Sequence, residues 1–217
     1  MAWDDIPEWA TQVASSILQT VKEKDPHTFY HCCRVGRASR QLAKAAGLNE
    51  FEQAVLEYSG LFHDVGKVGI PDNILLKPGR LEQTEIDQMK SHPVKSAAII
   101  DPLTFNAFFR FLLPGIRYHH EKIDGTGYPF GLVGERIPLP ARLVAVVDTF
   151  DAMTNVRPYR KPLPRDKVIN ELKLFSGTQF DANLVKVFLE YLPFLEKLDQ
   201  NKVDQEEMVV AKIIKAA

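Results

Sequence analysis

No apolar run in the sequence approaches the ~20 residues needed to cross a bilayer, so no membrane-spanning helix and no membrane partner are expected. Cysteine is nearly absent. The two present, Cys32 and Cys33, are adjacent and have no separated partner to bridge, which excludes a disulfide framework and fits a reducing cytosol. Charge of one sign is lacking too: 27 Lys and Arg stand against 28 Asp and Glu, a net charge of −1. No overall basic field therefore points to a nucleic-acid polymer, and an anionic ligand must be met by a local group of cations. The start, MAWDDIPEWATQVASSILQTV, is acidic and has no long apolar segment, so it does not read as a secretion signal. Alternating strand-like runs are scarce, and no internal repeat, low-complexity linker or second domain is visible. A soluble cytoplasmic protein is expected.

What is there is helix. The chain has 217 residues and 45% apolar content, enough for one sizeable core. From Glu8 to Lys24, Trp9, Val13, Ile17 and Val21 recur every four residues, as one helical face requires. Asp25-Pro26 reads as a cap followed by proline in the first helical position, and the helix it opens should end near Ala46, before Gly47. A third helix is predicted over Glu50–Phe62, with Ala54, Val55, Tyr58, Leu61 and Phe62 turned inward. DVGKVGIPDNILLKPGR is punctuated by glycine and proline and reads as a loop. Further helices are predicted over 82–90, 93–101, 104–112, 115–120, 165–175 and 181–198, besides an apolar one within IPLPARLVAVVDTFDAMTN. The fold class is all-α. Its expected parts are an N-terminal helix packed on the domain (1–24), a single helical domain with a metal centre among its helices (25–200) and a charged helical tail (201–217).

Six histidines occur: His27, His31, His63, His92, His119 and His120. A histidine taken alone is usually an ordinary polar residue, but the surroundings of these are unusual. His63 is followed at once by Asp64 where an apolar helix ends. Asp148 lies inside LVAVVDTFDA, where a buried charge is costly unless it is paired or binds metal. His119 and His120 close another apolar helix, whose end can turn both rings inward. Imidazole nitrogens together with carboxylate oxygens suit Fe, Mn, Zn, Co or Ni.

HDVGKVGIPDNILLKPG from His63, SHP at 91–93, HHEKIDGTGYP at 119–129 and DTFDAMTNVRPYRKP at 148–162 resemble the HD-GYP family, a branch of the HD superfamily of metal-dependent phosphohydrolases. The likeness runs from about Asp25 to Leu184. It implies two divalent ions, Fe or Mn foremost, with Zn, Ni and Co also compatible. By resemblance, His31, His63, Asp64 and Asp148 hold one ion, and Asp64 bridges to a second held by His92, His119 and His120. A carboxylate has two oxygens and can bridge ions roughly 3.5–4 Å apart, which an imidazole cannot, and a water between two cations is acidified. Asp64 and Lys67 are the catalytic candidates.

The family acts on cyclic di-GMP and, in some members, related cyclic dinucleotides. The resemblance implies hydrolysis to linear pGpG, with GMP as a further product in some cases, by attack of a hydroxide bridging the ions. Gly127, Tyr128 and Pro129 would form a wall of the substrate cleft, Lys67 would contact a phosphate, and Arg157 and Arg160 would hold phosphate or guanine. Tyr159 reads either as a base-stacking ring or as core. Two other readings stand beside the enzyme: a non-catalytic cyclic-dinucleotide receptor or interaction module, and a general nucleotide phosphohydrolase. Diguanylate-cyclase-type or other signalling proteins and a second copy of the chain are the candidate protein partners.

At one position the sequence departs from some members. Those with a third ion carry glutamate four residues before the first ligand histidine, where this chain has His27. Residues four apart share a helical face, so His27 is read as a weak extra ligand or as a polar lining residue, and two ions are expected. Cys32 and Cys33 are read as helix-packing residues rather than ligands.

Overall fold

The computed structural model describes residues 8–155 and 162–200, giving only the backbone course for 8, 10 and 194–200. Arg157, Tyr159, Arg160 and the tail 201–217 lie outside the described residues. Ten α-helices occur in order among those described: α1 (Glu8–Lys24), α2 (Pro26–Ala45), α3 (Glu50–Phe62), α4 (Asp72–Leu75), α5 (Gln83–Met89), α6 (His92–Ile100), α7 (Ala107–Tyr118), α8 (Leu139–Thr154), α9 (Arg165–Leu174) and α10 (Ala182–Gln200). Two isolated bridges, Asp124 with Val133 and Ser176 with Phe180, are the β-type pairing among the described residues. The all-α expectation is borne out.

Local chemistry sets the helix ends that matter for the site. Asp25 caps α2, its carboxylate accepting from the backbone N–H of His27 (3.0 Å) and Thr28 (3.1 Å), with Pro26 in the first helical position as predicted. Asn49 opens α3 with a capping box closed by Glu52. α2 and α3 then supply residues to two apolar clusters. One joins Phe29, Cys33, Tyr58, Leu61 and Phe62 to α1, α6 and α7. The other joins Val35, Leu42 and Leu56 to α8, α9 and α10. The two helices cross closely at Gly36 and Gly60, where a Cβ on Gly60 would lie 2.8 Å from Gly36 Cα. That approach sets the start of α2 beside the end of α3, where His31 and His63 meet.

Three expectations are corrected. In place of separate helices over 104–112 and 115–120 stands one helix, α7 (Ala107–Tyr118), with Pro114 inside it. Proline in a helix interior costs about 3 kcal/mol, but Phe108, Phe109, Leu112 and Ile116 are wholly buried along one continuous face, and their burial outweighs the break. The segment read as loop after Asp64 contains a 3-10 turn (Val65–Gly69) and α4, the latter entered from Pro71. On α1 the buried stripe is Ala14, Leu18 and Val21, with Trp9 and Ile17 partly covered, so it is rotated from the predicted one. Trp9 stacks on Phe105 at 5.2 Å and Phe109 at 6.1 Å, which draws the helix round.

Candidate metal centre

The fold brings together all seven residues read as ligands. His31 comes from the second turn of α2, His63 and Asp64 from just past α3, His92 from the first residue of α6, His119 and His120 from just past α7, and Asp148 from the middle of α8. His31, His63, Asp64, His92, His119 and Asp148 are buried; His120 is partly so. Three combinations gather donor atoms within 4.8 Å of one another: His31, His63 and Asp64; His92, His119 and His120; and His63, His119 and Asp148. The donors therefore form one continuous cluster.

Most of the rings are anchored in the same sense. A carbonyl oxygen can only accept, so His63, His92 and His119 carry the hydrogen on Nδ1 and donate it to Gly60 O (2.7 Å), Met89 O (2.8 Å) and Ile116 O (2.8 Å). Each acceptor lies three residues earlier, at a helix end or turn where carbonyls have no partner along the helix. Nε2, with its lone pair, is left facing inward. The inward atoms then confront one another: His63 Nε2 lies 3.2 Å from His31 Nε2, and His92 Nε2 lies 3.4 Å from His119 Nε2.

Asp64 stands between these pairs with an oxygen toward each. Oδ2 is 3.4 Å from His63 Nε2, 3.6 Å from His31 Nε2 and 2.5 Å from Lys67 Nζ. Oδ1 is 3.0 Å from His92 Nε2, yet it accepts no hydrogen bond, a buried carboxylate oxygen facing a ring atom that has no proton to give. At His92 and His119, lone pairs aimed at each other beside the unpartnered Asp64 Oδ1 repel unless a cation lies among them. This arrangement fits divalent ions.

Protonation follows from the same contacts. Burial alone would lower the His31 pKa, but its hydrogen bonds to Asp148 (3.0 Å) and Asp151 (2.6 Å) prevail and raise it to about 9. Burial holds His119 well below its usual range and His120 down at about 3. Burial works against ionisation of Asp64 and Asp148, but the Lys67 ammonium beside the first and the hydrogen bond and charge of His31 beside the second hold both well below the usual carboxylate range.

A cavity of about 490 Å³ opens beside the cluster, lined by His31, Asp64, Lys67, His92, His120 and Asp148 and by the apolar Leu75, Leu76, Leu81 and Met89. Tyr128 also lines it, its ring stacked on His120 at 4.7 Å. Gly127 makes that placement possible: a Cβ there would lie 2.3 Å from the Lys122 backbone nitrogen and 2.5 Å from Glu121 Cα. The Tyr128-Pro129 peptide is cis. Burial, then the nearby Asp64 and Asp148 charges, push the Tyr128 phenol far up, so it remains a proton donor. His27 lines the cavity from the exposed first turn of α2 and belongs to none of the three ligand combinations. Asn155, the last described residue before the segment holding Arg157 and Arg160, is also on the wall. Cys32 and Cys33 are buried and are not joined in a disulfide, Cys33 being packed in the first apolar cluster.

Sequence reading missed two acids. Glu121 is buried directly after the histidine pair, and its carboxylate accepts from the backbone N–H of Phe130 (2.7 Å) and Leu132 (2.9 Å), tying down the loop that carries Tyr128. Asp151 is buried one turn beyond Asp148. A second acid on an apolar helix was in view, but its role was not, because its partner His31 lies 120 positions away.

A helical domain with histidines and aspartates converging on one buried carboxylate defines the class. This chain belongs to the HD domain family, whose sequence profile matches residues 15–184. It is 36% identical over 196 residues to the cyclic di-GMP phosphodiesterase response regulator RpfG of Xanthomonas campestris pv. campestris, covering 90% of this chain and 51% of that protein. It is 37% identical over 161 residues to the 3′3′-cGAMP-specific phosphodiesterase 1 of Vibrio cholerae, covering 74% of this chain and 37% of that one. Among solved structures, the cyclic GMP-AMP specific phosphodiesterase V-cGAP3 of V. cholerae shares the fold, with a TM-score of 0.64 at 19% identity over 94% of this chain and 53% of that one. The chain spans about half the length of the first of these relatives and less of the second. The HD-GYP resemblance is borne out.

Proposed function

We propose that this chain is a metal-dependent phosphodiesterase that opens cyclic di-GMP to linear pGpG, acting in the cytoplasm on a second messenger. The observation that carries the reading is Asp64, a buried carboxylate with one oxygen toward His31 and His63 and the other toward His92. His31, His63, Asp64 and Asp148 would hold one ion, and Asp64, His92, His119 and His120 the other. Iron or manganese is favoured by the HD-GYP resemblance, and the mix of imidazole with carboxylate suits either. Two such ions, when bound, supply Lewis acidity for a phosphate oxygen and acidify a water.

The chain's own groups do the rest. Lys67 Nζ lies on the cavity wall beside Asp64 and would meet a phosphate oxygen. Tyr128, a protonated phenol held against His120, can donate a hydrogen bond to phosphate or base. Gly127 and Pro129 fix that loop, and Arg157 and Arg160 would clamp the second phosphate or a guanine from the segment that follows Asn155. The catalytic unit is proposed to be residues 25–200. The relatives' names favour cyclic dinucleotides over general nucleotides, and 3′3′-cGAMP is the second substrate to try.

The test is anaerobic reconstitution with Fe(II) or Mn(II), elemental analysis, and chromatography of the products from cyclic di-GMP and 3′3′-cGAMP. Two ions per chain and pGpG as the main product are expected. A protein loaded with two ions that binds cyclic di-GMP without turning it over is a receptor, and the enzyme reading fails.

A further inference from the structure

His31 is held differently from the other anchored rings. His63, His92 and His119 give their Nδ1 hydrogen to a carbonyl three residues earlier, where a helix or turn ends. His31 lies inside α2, and carbonyls there are taken by the helix itself. Its acceptor has to come from another element, and it comes from α8. Asp148 and Asp151, three apart and so on one face of that helix, bracket the ring: Asp148 Oδ1 is 3.0 Å from Nε2, and Asp151 Oδ2 is 2.6 Å from Nδ1. Asp151 is itself fixed. Arg34, one turn beyond His31 on α2, donates to it from Nε (2.7 Å) and Nη2 (3.0 Å), and Asn155 Nδ2 donates to Oδ1 (3.0 Å). Four donors thus meet two carboxylate oxygens in a buried place, which leaves Asp151 one orientation and keeps it ionised.

We propose that Asp151, braced by Arg34, is a positioning residue for the ion on the Asp148 side: it fixes the tautomer and tilt of His31 and makes that ring a stronger ligand than its carbonyl-anchored neighbours. The inference rests on the two-ion reading of the site. An anion behind an imidazole raises its basicity and holds its far nitrogen on the metal, and loss of such a partner typically weakens metal binding roughly 10–100-fold. A strut that only joined α2 to α8 would give no reason for the two ions to be affected unequally. A positioning residue acts on one ion alone.

The experiment titrates Mn(II) into the metal-free full chain, with a chelating dye as competitor. In the wild type two binding steps are expected. In Asp151→Asn, which keeps the shape and removes the charge, one step should weaken roughly 10–100-fold and the other stay within about twofold. The retained step reports an intact fold. Arg34→Lys, which keeps a cation but loses the paired hydrogen bonds, should weaken the same step by less. Asp181→Asn is the structural control: it removes the charge from the Arg142–Asp181 contact between α8 and the start of α10, and should lower thermal stability while leaving both steps alone. Wild-type affinity at both steps in Asp151→Asn overturns the positioning role and leaves the two-ion reading standing. Equal weakening of both steps in Asp151→Asn and Arg34→Lys also overturns it, in favour of a plain strut. A wild type that binds no Mn(II) in two steps overturns both.

Discussion

The ligand groups on the two sides of Asp64 are made of different material. On the Oδ2 side stand His31, His63 and a second carboxylate, Asp148, with Asp151 and Arg34 behind them, drawn largely from within long helices. On the other side stand three imidazoles, His92, His119 and His120, all placed where helices begin or end, and the acid adjacent to them, Glu121, faces the backbone of the following loop instead. One side is anionic and braced. The other is neutral and shares the single charge of Asp64. The comparison teaches that the two proposed ions should differ in affinity, the ion beside Asp148 being the more tightly held, and that Asp64 alone belongs to both.

The largest effect therefore falls on Asp64. Asp64→Ala removes a ligand from each side at once, so metal content should drop by more than one ion per chain and hydrolysis of cyclic di-GMP should be abolished. Elemental analysis that finds two ions in this variant removes the bridging role and with it the comparison.

Next come variants confined to one side. Asp148→Asn should deplete the ion on the anionic side, and His120→Ala the ion on the imidazole side, each leaving about one ion per chain. When wild type is dialysed against rising chelator, the first ion to leave should be the one His120→Ala already lacks. Release in the opposite order would reverse the ranking of the two sides.

A smaller effect appears in the pH dependence of the metal-free protein, where the two sides set opposite edges. His120 titrates at about 3 when folded, against about 6.5 when unfolded. Both states are neutral above 6.5, so nothing is lost there. As pH falls from 6.5 toward 3, the unfolded chain binds a proton that the folded one cannot, and stability declines; His119 acts in the same direction. His31 does the reverse. Its folded value of about 9 contributes stability below pH 6.5 that is lost as pH rises through 9. Differential scanning calorimetry between pH 5 and 9 should show the metal-free Tm highest near neutrality, falling by roughly 4–8 °C at pH 5, the equivalent of about 2 kcal/mol from His120. Bound metal should flatten the alkaline edge, because it takes the place of the second His31 proton. A Tm that rises steadily from pH 5 to 9 would contradict the contrast between the sides.

Legibility in the sequence divides along related lines. Residues whose chemistry conflicts with their surroundings were visible without coordinates: Asp148 in an apolar helix, His63-Asp64 at an apolar helix end, the adjacent His119 and His120. The start of α2 and the span of α3 were visible because Asp25-Pro26 and a clean apolar face mark them. Residues that act through another residue were not. Asp151 and Glu121 are recognisable only once their partners, 120 and 9 positions away, are in place. Pro114 misled because local propensity predicts a break, whereas the buried face of α7 is a tertiary fact. The bracketing of His31 by two acids three apart on α8 needed both helices in view.

The smallest effect tests the edge of the anionic side. His27 lies one helical turn before His31, where members with a third ion carry glutamate. It is exposed, it lines the cavity, and its backbone N–H donates to the Asp25 cap, so the first turn of α2 is set without its side chain. A neutral imidazole offers one lone pair and cannot bridge ions as a carboxylate does. With Asp148 and Asp64 already supplying two carboxylates to that side, His27 adds little to its charge. His27→Ala is therefore expected to leave metal content at two ions, the wild-type Mn(II) affinities within about twofold, and ring opening of cyclic di-GMP within about threefold, since an exposed surface group seldom contributes more than ~0.5 kcal/mol. The informative counterpart is His27→Glu, which restores the acid of three-ion members in the same turn. Anomalous scattering that located a third ion on His27 in the wild type, together with GMP as the main product, would move His27 into the anionic side and redraw its boundary.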